Sequence, residues 1–140
     1  MNFLLTGGAG YIGSHAALSL LDAGHNVHII DDLSTGNKSL IPKNAFFTKC
    51  NINDEEVISE LIKSNSFDLL MHFAGFIQVE ESVKYPQKYF DNNTENATKL
   101  FETCKNNGLN KIVFSSTAAA YGSVSENKLI DENTNLNPQN

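Results

Sequence analysis

Runs of basic residues are missing from this 140-residue chain. Ten Lys plus Arg stand against sixteen Asp plus Glu, and the formal charge is -6. Phosphate contacts along a nucleic acid need clustered Lys and Arg, so that partner is not expected. Long apolar runs are missing too. None approaches the ~20 residues that a bilayer requires, so no membrane partner is expected. The start has no basic segment, and its apolar stretch breaks at Thr6-Gly7-Gly8, so no secretory signal is expected. Cysteine is scarce. Cys50 and Cys104 make no disulfide framework, Cys104 reads as a small core residue, and a reducing, cytoplasmic setting is the expectation. His15, His25, His28 and His72 lack metal-ligand spacing, so no metal is expected, and His72 reads as a satisfied core histidine. There is no internal repeat. What remains is an ordinary globular balance, 41% hydrophobic and 19% charged, at the length of one domain.

Apolar runs and helical spacings alternate along the chain. Asn2 to Thr6, Asn26 to Ile30, Ala45 to Lys49, Phe67 to Phe73 and Lys111 to Ser116 read as five strands. Tyr11 to Ala23 has helical spacing and is followed by Gly24, a left-handed stop. Asn53 with Glu56 resembles a capping box for a helix to about Lys63, with Val57, Ile58, Leu61 and Ile62 inward. Pro86 suits the start of a long helix ended by Gly108. Tyr89, Phe90, Asn93, Ala97, Leu100, Phe101 and Cys104 trace its inward face. Leu33 to Pro42 reads as loop and Ala74 to Lys84 as irregular. Glu80 and Glu81 read as a solvated pair, and Asn133 to Asn140 as loop. This alternation predicts an α/β fold: a doubly wound parallel sheet of Rossmann type, strand order 3-2-1-4-5. Ligands of such folds bind at the carboxyl ends of the strands where the winding reverses, here between strands one and four.

TGGAGYIGSH follows the first strand and opens the first helix, the context that makes a glycine spacing useful. Gly7 allows the tight turn, Gly10 lets backbone approach a pyrophosphate, and Gly13 lets the helix press on the sheet. The helix start at Tyr11 presents free N–H groups to an anion. Asp31 ends the second strand, eighteen residues past Gly13. A carboxylate there accepts from an adenosine ribose and repels a 2′-phosphate, which favours NAD over NADP. Asp32 is expected to cap the loop.

TGGAGYIGSH, DDLSTGN, HFAGFIQVEESVKYP, YFDNN and FSSTAAAYG together resemble the amino-terminal part of the UDP-glucose 4-epimerase family, which belongs to the extended short-chain dehydrogenases/reductases. The resemblance runs from Asn2 to Pro138. Dehydratases of similar sequence place an Asp-Glu pair after the strand-five Thr, and decarboxylases a Glu. Ala118 and Ala119 stand here, which argues for simple redox at a sugar carbon.

The resemblance implies roles for named positions. Tyr11 and Ile12 would lie against the pyrophosphate. Asp31 would meet the adenosine ribose, with Asp32, Leu33, Ser34, Thr35 and Gly36 around it. Asn51 and Ile52 fall where the family places Asp-Ile near the adenine; the amide of Asn51 is a departure. Phe73, Ala74, Gly75, Phe76 and Ile77 would line the dinucleotide groove. Ile77 also departs, since some members carry Lys there. Asn92 would sit near the nicotinamide side. Thr117 would be the catalytic and substrate-binding hydroxyl at the end of strand five; without the resemblance it reads as a hydroxyl satisfying a backbone group.

In the family a tyrosinate takes a proton from the sugar C4 hydroxyl while hydride passes to NAD, and hydride then returns to the opposite face. A neighbouring Lys lowers the Tyr pKa. That Tyr-x-x-x-Lys pair would follow Asn137 to Asn140 and is not in this chain; Tyr121 has Ser125 four residues on. The expectation is an incomplete NAD-binding domain over residues 1–140, without its carboxy-terminal substrate domain. It would bind NAD weakly and not epimerise alone. A UDP-sugar is the expected substrate of the longer parent. Alternatives are an epimerase or reductase of another nucleotide sugar, such as a UDP-N-acetylhexosamine, or a non-catalytic dinucleotide module. With no following helix to cover strand five, Ile112, Val113 and Phe114 are expected to be exposed and to drive homodimers or other self-association.

Overall fold

The computed structural model describes residues 1–123 and 129–139; Ser125 and Asn140, named above, lie outside them. Strand β1 (Asn2–Thr6) holds Phe3, Leu4 and Leu5, all buried, so both of its faces are covered. That burial puts it in the middle of the sheet. β2 (Asn26–Ile30) pairs parallel to one side of it, Phe3 opposite Val27 and Leu5 opposite Ile29. β4 (Leu69–His72) pairs parallel to the other side, Leu4 opposite Leu70. β3 (Phe46–Thr48) and β5 (Ile112–Phe114) complete the order 3-2-1-4-5, all parallel. The doubly wound α/β prediction holds.

Alternate side chains feed two cores. Phe3, Leu5, Val27 and Ile29 pack with Ala17 of α1 (Tyr11–Asp22) on one face. Leu4, Ile30 and Leu70 pack on the other against Ile58 and Ile62 of α2 (Glu55–Ser64). Leu100 and Cys104 of α5 (Ala97–Asn106) close that second core. Winding reverses between β1 and β4, so the loops after these strands diverge and leave a crevice. Gly24 and Gly108, at φ 80 and 87, end α1 and α5 as expected. Among the described residues no helix is long and apolar enough to cross a membrane.

Local details differ from the sequence reading. Ladder pairing stops short of the apolar runs, so β3, β4 and β5 are briefer than predicted. The Leu33 to Pro42 loop contains a 3-10 turn, Lys38–Leu40, whose N-cap Asn37 accepts from the Ser39 N–H. Asp54 caps α2, not Asn53: its carboxylate accepts from the Val57 N–H at 3.4 Å. Asn53 is drawn into the preceding turn, its N–H donating to Asn51 Oδ1 at 3.2 Å. The irregular Ala74 to Lys84 stretch contains α3 (Val79–Lys84).

Pro86 does start a helix, at the first position of α4 (Pro86–Phe90). A π-helical turn, Asp91–Asn96, joins α4 to α5. Such a turn inserts extra backbone and rotates everything upstream. Ala97, Leu100 and Cys104 therefore stay inward while Phe90, predicted inward, is 62% exposed. Ile112, Val113 and Phe114 are exposed by 37%, 45% and 54%, as expected of an uncovered strand.

Candidate functional site

A cleft of about 610 Å³ opens at the carboxyl ends of β1, β2 and β4. Its floor is the glycine turn. Gly7 has φ 71, and a Cβ there would lie 2.5 Å from the Ala74 N. Only a glycine fits between the ends of β1 and β4. A Cβ at Gly13 would overlap the Gly7 carbonyl oxygen and sit 2.9 Å from Gly8 Cα, so α1 rests directly on the turn. At Gly10 a Cβ would meet only the Gly7 carbonyl oxygen, at 3.2 Å. Its lack of a side chain therefore serves the cleft more than the packing. Gly10 is also the N-cap of α1, with no side chain capping the helix. Helix-start N–H groups have no partner within their own helix. Tyr11 and Ile12 line the cleft there and are exposed by 77% and 61%.

The β2 side is held by carboxylates. Asp31 Oδ2 accepts from the Ala9 N–H at 2.9 Å and Oδ1 from the Leu33 N–H at 2.8 Å. The carboxylate thus ties the glycine turn to the loop after β2. Asp32 caps that loop as expected, Oδ1 accepting from the Ser34 N–H at 2.8 Å. Asp32 Oδ2 accepts from Asn51 Nδ2, also at 2.8 Å. Burial works to raise the Asp32 carboxyl, but hydrogen bonds from Ser34 and Asn51 outweigh it and hold it below the usual range. Asp31, Asp32, Ser34, Thr35 and Gly36 line this half of the cleft, with Asn51 and Ile52 beside them. Leu33 does not line it. Cys50 does, unpredicted; burial, with Asp54 and Asp32 adding, pushes its thiol up to about 11 and keeps it neutral.

The β4 side carries Phe73, Ala74, Gly75, Phe76 and Ile77. Asn93, in the π-helical turn, fixes this segment. Its Oδ1 accepts from the Phe76 N–H and its Nδ2 donates to the Phe76 carbonyl, both at 2.9 Å. Asn92 lines the cleft and donates to Asn93 Oδ1 at 2.8 Å. Beneath the floor, His72 is 1% exposed and its Nδ1 lies 2.6 Å from Thr6 Oγ1. Burial pushes its pKa down to about 4, so the ring is a neutral core group, as read from the sequence.

Three lining residues escaped the sequence reading as a group: Glu81, Lys88 and Tyr89. Glu81 is not a solvated partner of Glu80. It accepts from Lys88 Nζ at 2.7 Å and from the Tyr89 hydroxyl at 2.8 Å. Glu81 and Lys88 stand seven positions apart on two helices, α3 and α4, split at Pro86, so the period of no single helix signals the pair. Ile30, Gln78 and Ser115 were missed as well. Thr117 does not line the cleft. Its hydroxyl accepts from the Ala119 N–H at 3.1 Å and caps the 3-10 turn Ala118–Tyr121. Ser115 presents the hydroxyl that lines the cleft from the β5 side.

Comparison with known proteins matches this geometry. UDP-glucose 4-epimerase of Corynebacterium glutamicum is 44% identical over 87% of this chain and 36% of its own length. A solved UDP-glucose 4-epimerase of Thermus thermophilus, in complex with NAD, superposes with a TM-score of 0.92 at 34% identity, over 99% of this chain and 45% of that one. The UDP-Glc/GlcNAc 4-epimerase of Campylobacter jejuni superposes at 0.89 and 39% identity, over 98% and 43%. The chain thus spans less than half the length of these relatives. Residues 3–140 match the NAD dependent epimerase/dehydratase family, and the chain belongs to that family.

Proposed function

We propose that these residues form the NAD-binding domain of a UDP-glucose 4-epimerase, and that the substrate domain of the longer relatives has no counterpart within them. One observation carries the reading: the glycine turn and the Asp31 carboxylate are joined through the Ala9 N–H at the switch point of the sheet. The residues suit a dinucleotide. Gly10 leaves room where a Cβ would intrude, the helix-start amides have no side-chain cap, and Asp31 keeps free lone pairs for ribose hydroxyls. Asp32 holds Asn51 at the cleft wall, where it would stand beside the adenine. When bound, NAD supplies reversible hydride chemistry.

Thr117 would relay a proton at the sugar in the complete enzyme. Among the described residues no side chain stands in for the Tyr-x-x-x-Lys pair of the family. Tyr89 lines the cleft, but burial first and then Glu81 raise its phenol pKa, the wrong direction for a tyrosinate. The chain alone is therefore expected to bind NAD and to leave UDP-galactose unconverted. Titration with NAD and a coupled UDP-galactose assay test both halves. Turnover by the purified chain would overturn the second, and absence of NAD binding the first. The Campylobacter relative supports a second reading, in which the parent acts also on N-acetylated UDP-hexoses. Self-association through the uncovered β5 face is the expected quaternary behaviour.

A further inference from the structure

The described residues lining the cleft include three carboxylates, Asp31, Asp32 and Glu81, against a single cation, Lys88. A dinucleotide brings a doubly charged diphosphate into these surroundings. Backbone N–H groups at the glycine turn meet part of that charge, but they carry only partial charges. Lys88 supplies the one full positive charge on the opposite, β4 wall.

Its ammonium is already oriented. Glu81 accepts one of its protons at 2.7 Å, and the Phe76 ring lies beneath it with the centroid 4.6 Å away. Glu81 is itself steadied by the Tyr89 hydroxyl at 2.8 Å, and the Phe76 backbone by Asn93. An ammonium has three N–H donors and Glu81 takes one, so donors remain for a ligand oxygen. The side chain is 46% exposed and reachable from the cleft. Ordering a lysine costs rotamer entropy, and here that cost is met before any ligand arrives. As a plain surface ion pair it would add little to stability.

We propose that Lys88 is a positioning residue for the β4-side half of a bound dinucleotide, donating to its phosphate or ribose oxygens. This rests on the NAD reading above. The test is a saturation-transfer NMR titration of the chain and of K88Q and K88R with NAD, and with AMP as a ligand confined to the adenine side. Thermal melting of each protein accompanies it. The expected result is NAD affinity reduced roughly tenfold in K88Q and restored in K88R. AMP affinity and the melting midpoint should not move. Equal NAD affinity in K88Q and the parent chain overturns the role of Lys88 and leaves the NAD reading standing. Equal losses for AMP and NAD also overturn it, since the effect would then not be local to the β4 wall. Failure of the parent chain to bind NAD overturns both.

Discussion

Both oxygens of the Asp31 carboxylate accept backbone N–H groups, from Ala9 and from Leu33. The residue read as a ribose acceptor is also a structural clamp. Substituting Asp31→Asn turns one acceptor into a donor that faces a backbone N–H. The expected cost is about 1–3 kcal/mol of stability, beside weaker NAD binding. Urea unfolding checks it; an unchanged midpoint would show that the clamp is dispensable. His72 gives a second residue-scale prediction. Its folded pKa of about 4 lies below the ordinary 6.5 of an unfolded histidine. As pH falls, the unfolded chain takes up the proton first, so stability is full above about 6.5 and drains away down to about 4. The loss amounts to roughly 3 kcal/mol from this group. His28, also lowered by burial, adds in the same direction. The lowered carboxyl of Asp32 acts only at the acid end, as pH falls through the carboxylate range. Unfolding free energies flat between those pH values would contradict the burial of a neutral His72.

At the scale of elements, the glycine turn separates folding from binding. A Cβ at Gly13 meets unyielding backbone, whereas one at Gly10 meets a single carbonyl oxygen and fills cleft space. Gly13→Ala is therefore expected to destabilise by about 1–3 kcal/mol or more, because α1 must lift off the turn. Gly10→Ala should melt near the parent temperature yet bind NAD poorly. Calorimetry and NAD titration of the two variants read the contrast, and a reversed pattern would refute it. The π-helical turn shows why element patterns reach only so far. From Ala97 onward the apolar spacing predicted the buried face correctly. Upstream, the inserted backbone turned Phe90 outward and left Asn93 free to pair with both polar groups of Phe76. No apolar period encodes such an insertion.

Over the whole molecule, β5 leaves apolar surface exposed on both sides, Val113 on one face and Ile112 and Phe114, the latter against Phe101, on the other. Exposed apolar strands favour association. Sedimentation velocity should show mass above the 15.4 kDa of one chain, growing with concentration. Val113→Lys should shift it back towards the monomer. A strictly monomeric parent chain would remove the argument.

Most of the architecture was legible in the residues alone. β1 and β2 begin and end where their apolar runs do, because the ladder between them pairs every residue of both, from Asn2 with Asn26 to Thr6 with Ile30. The glycine spacing and Asp31 marked one wall of the cleft, because close backbone packing at the turn and a carboxylate tied to it demand those residue types at that separation. The ends of β3, β4 and β5, the cap of α2 and the opposite wall of the cleft were not legible. Glu81, Lys88 and Tyr89 meet only because α3 and α4 fold against each other across Pro86. The sequence by itself determined the order of the sheet and the turn that can hold a diphosphate, since both follow from local spacing. Tertiary structure alone decided which charges line the cleft, since the docking of α3 against α4 brings together residues that stand on separate elements.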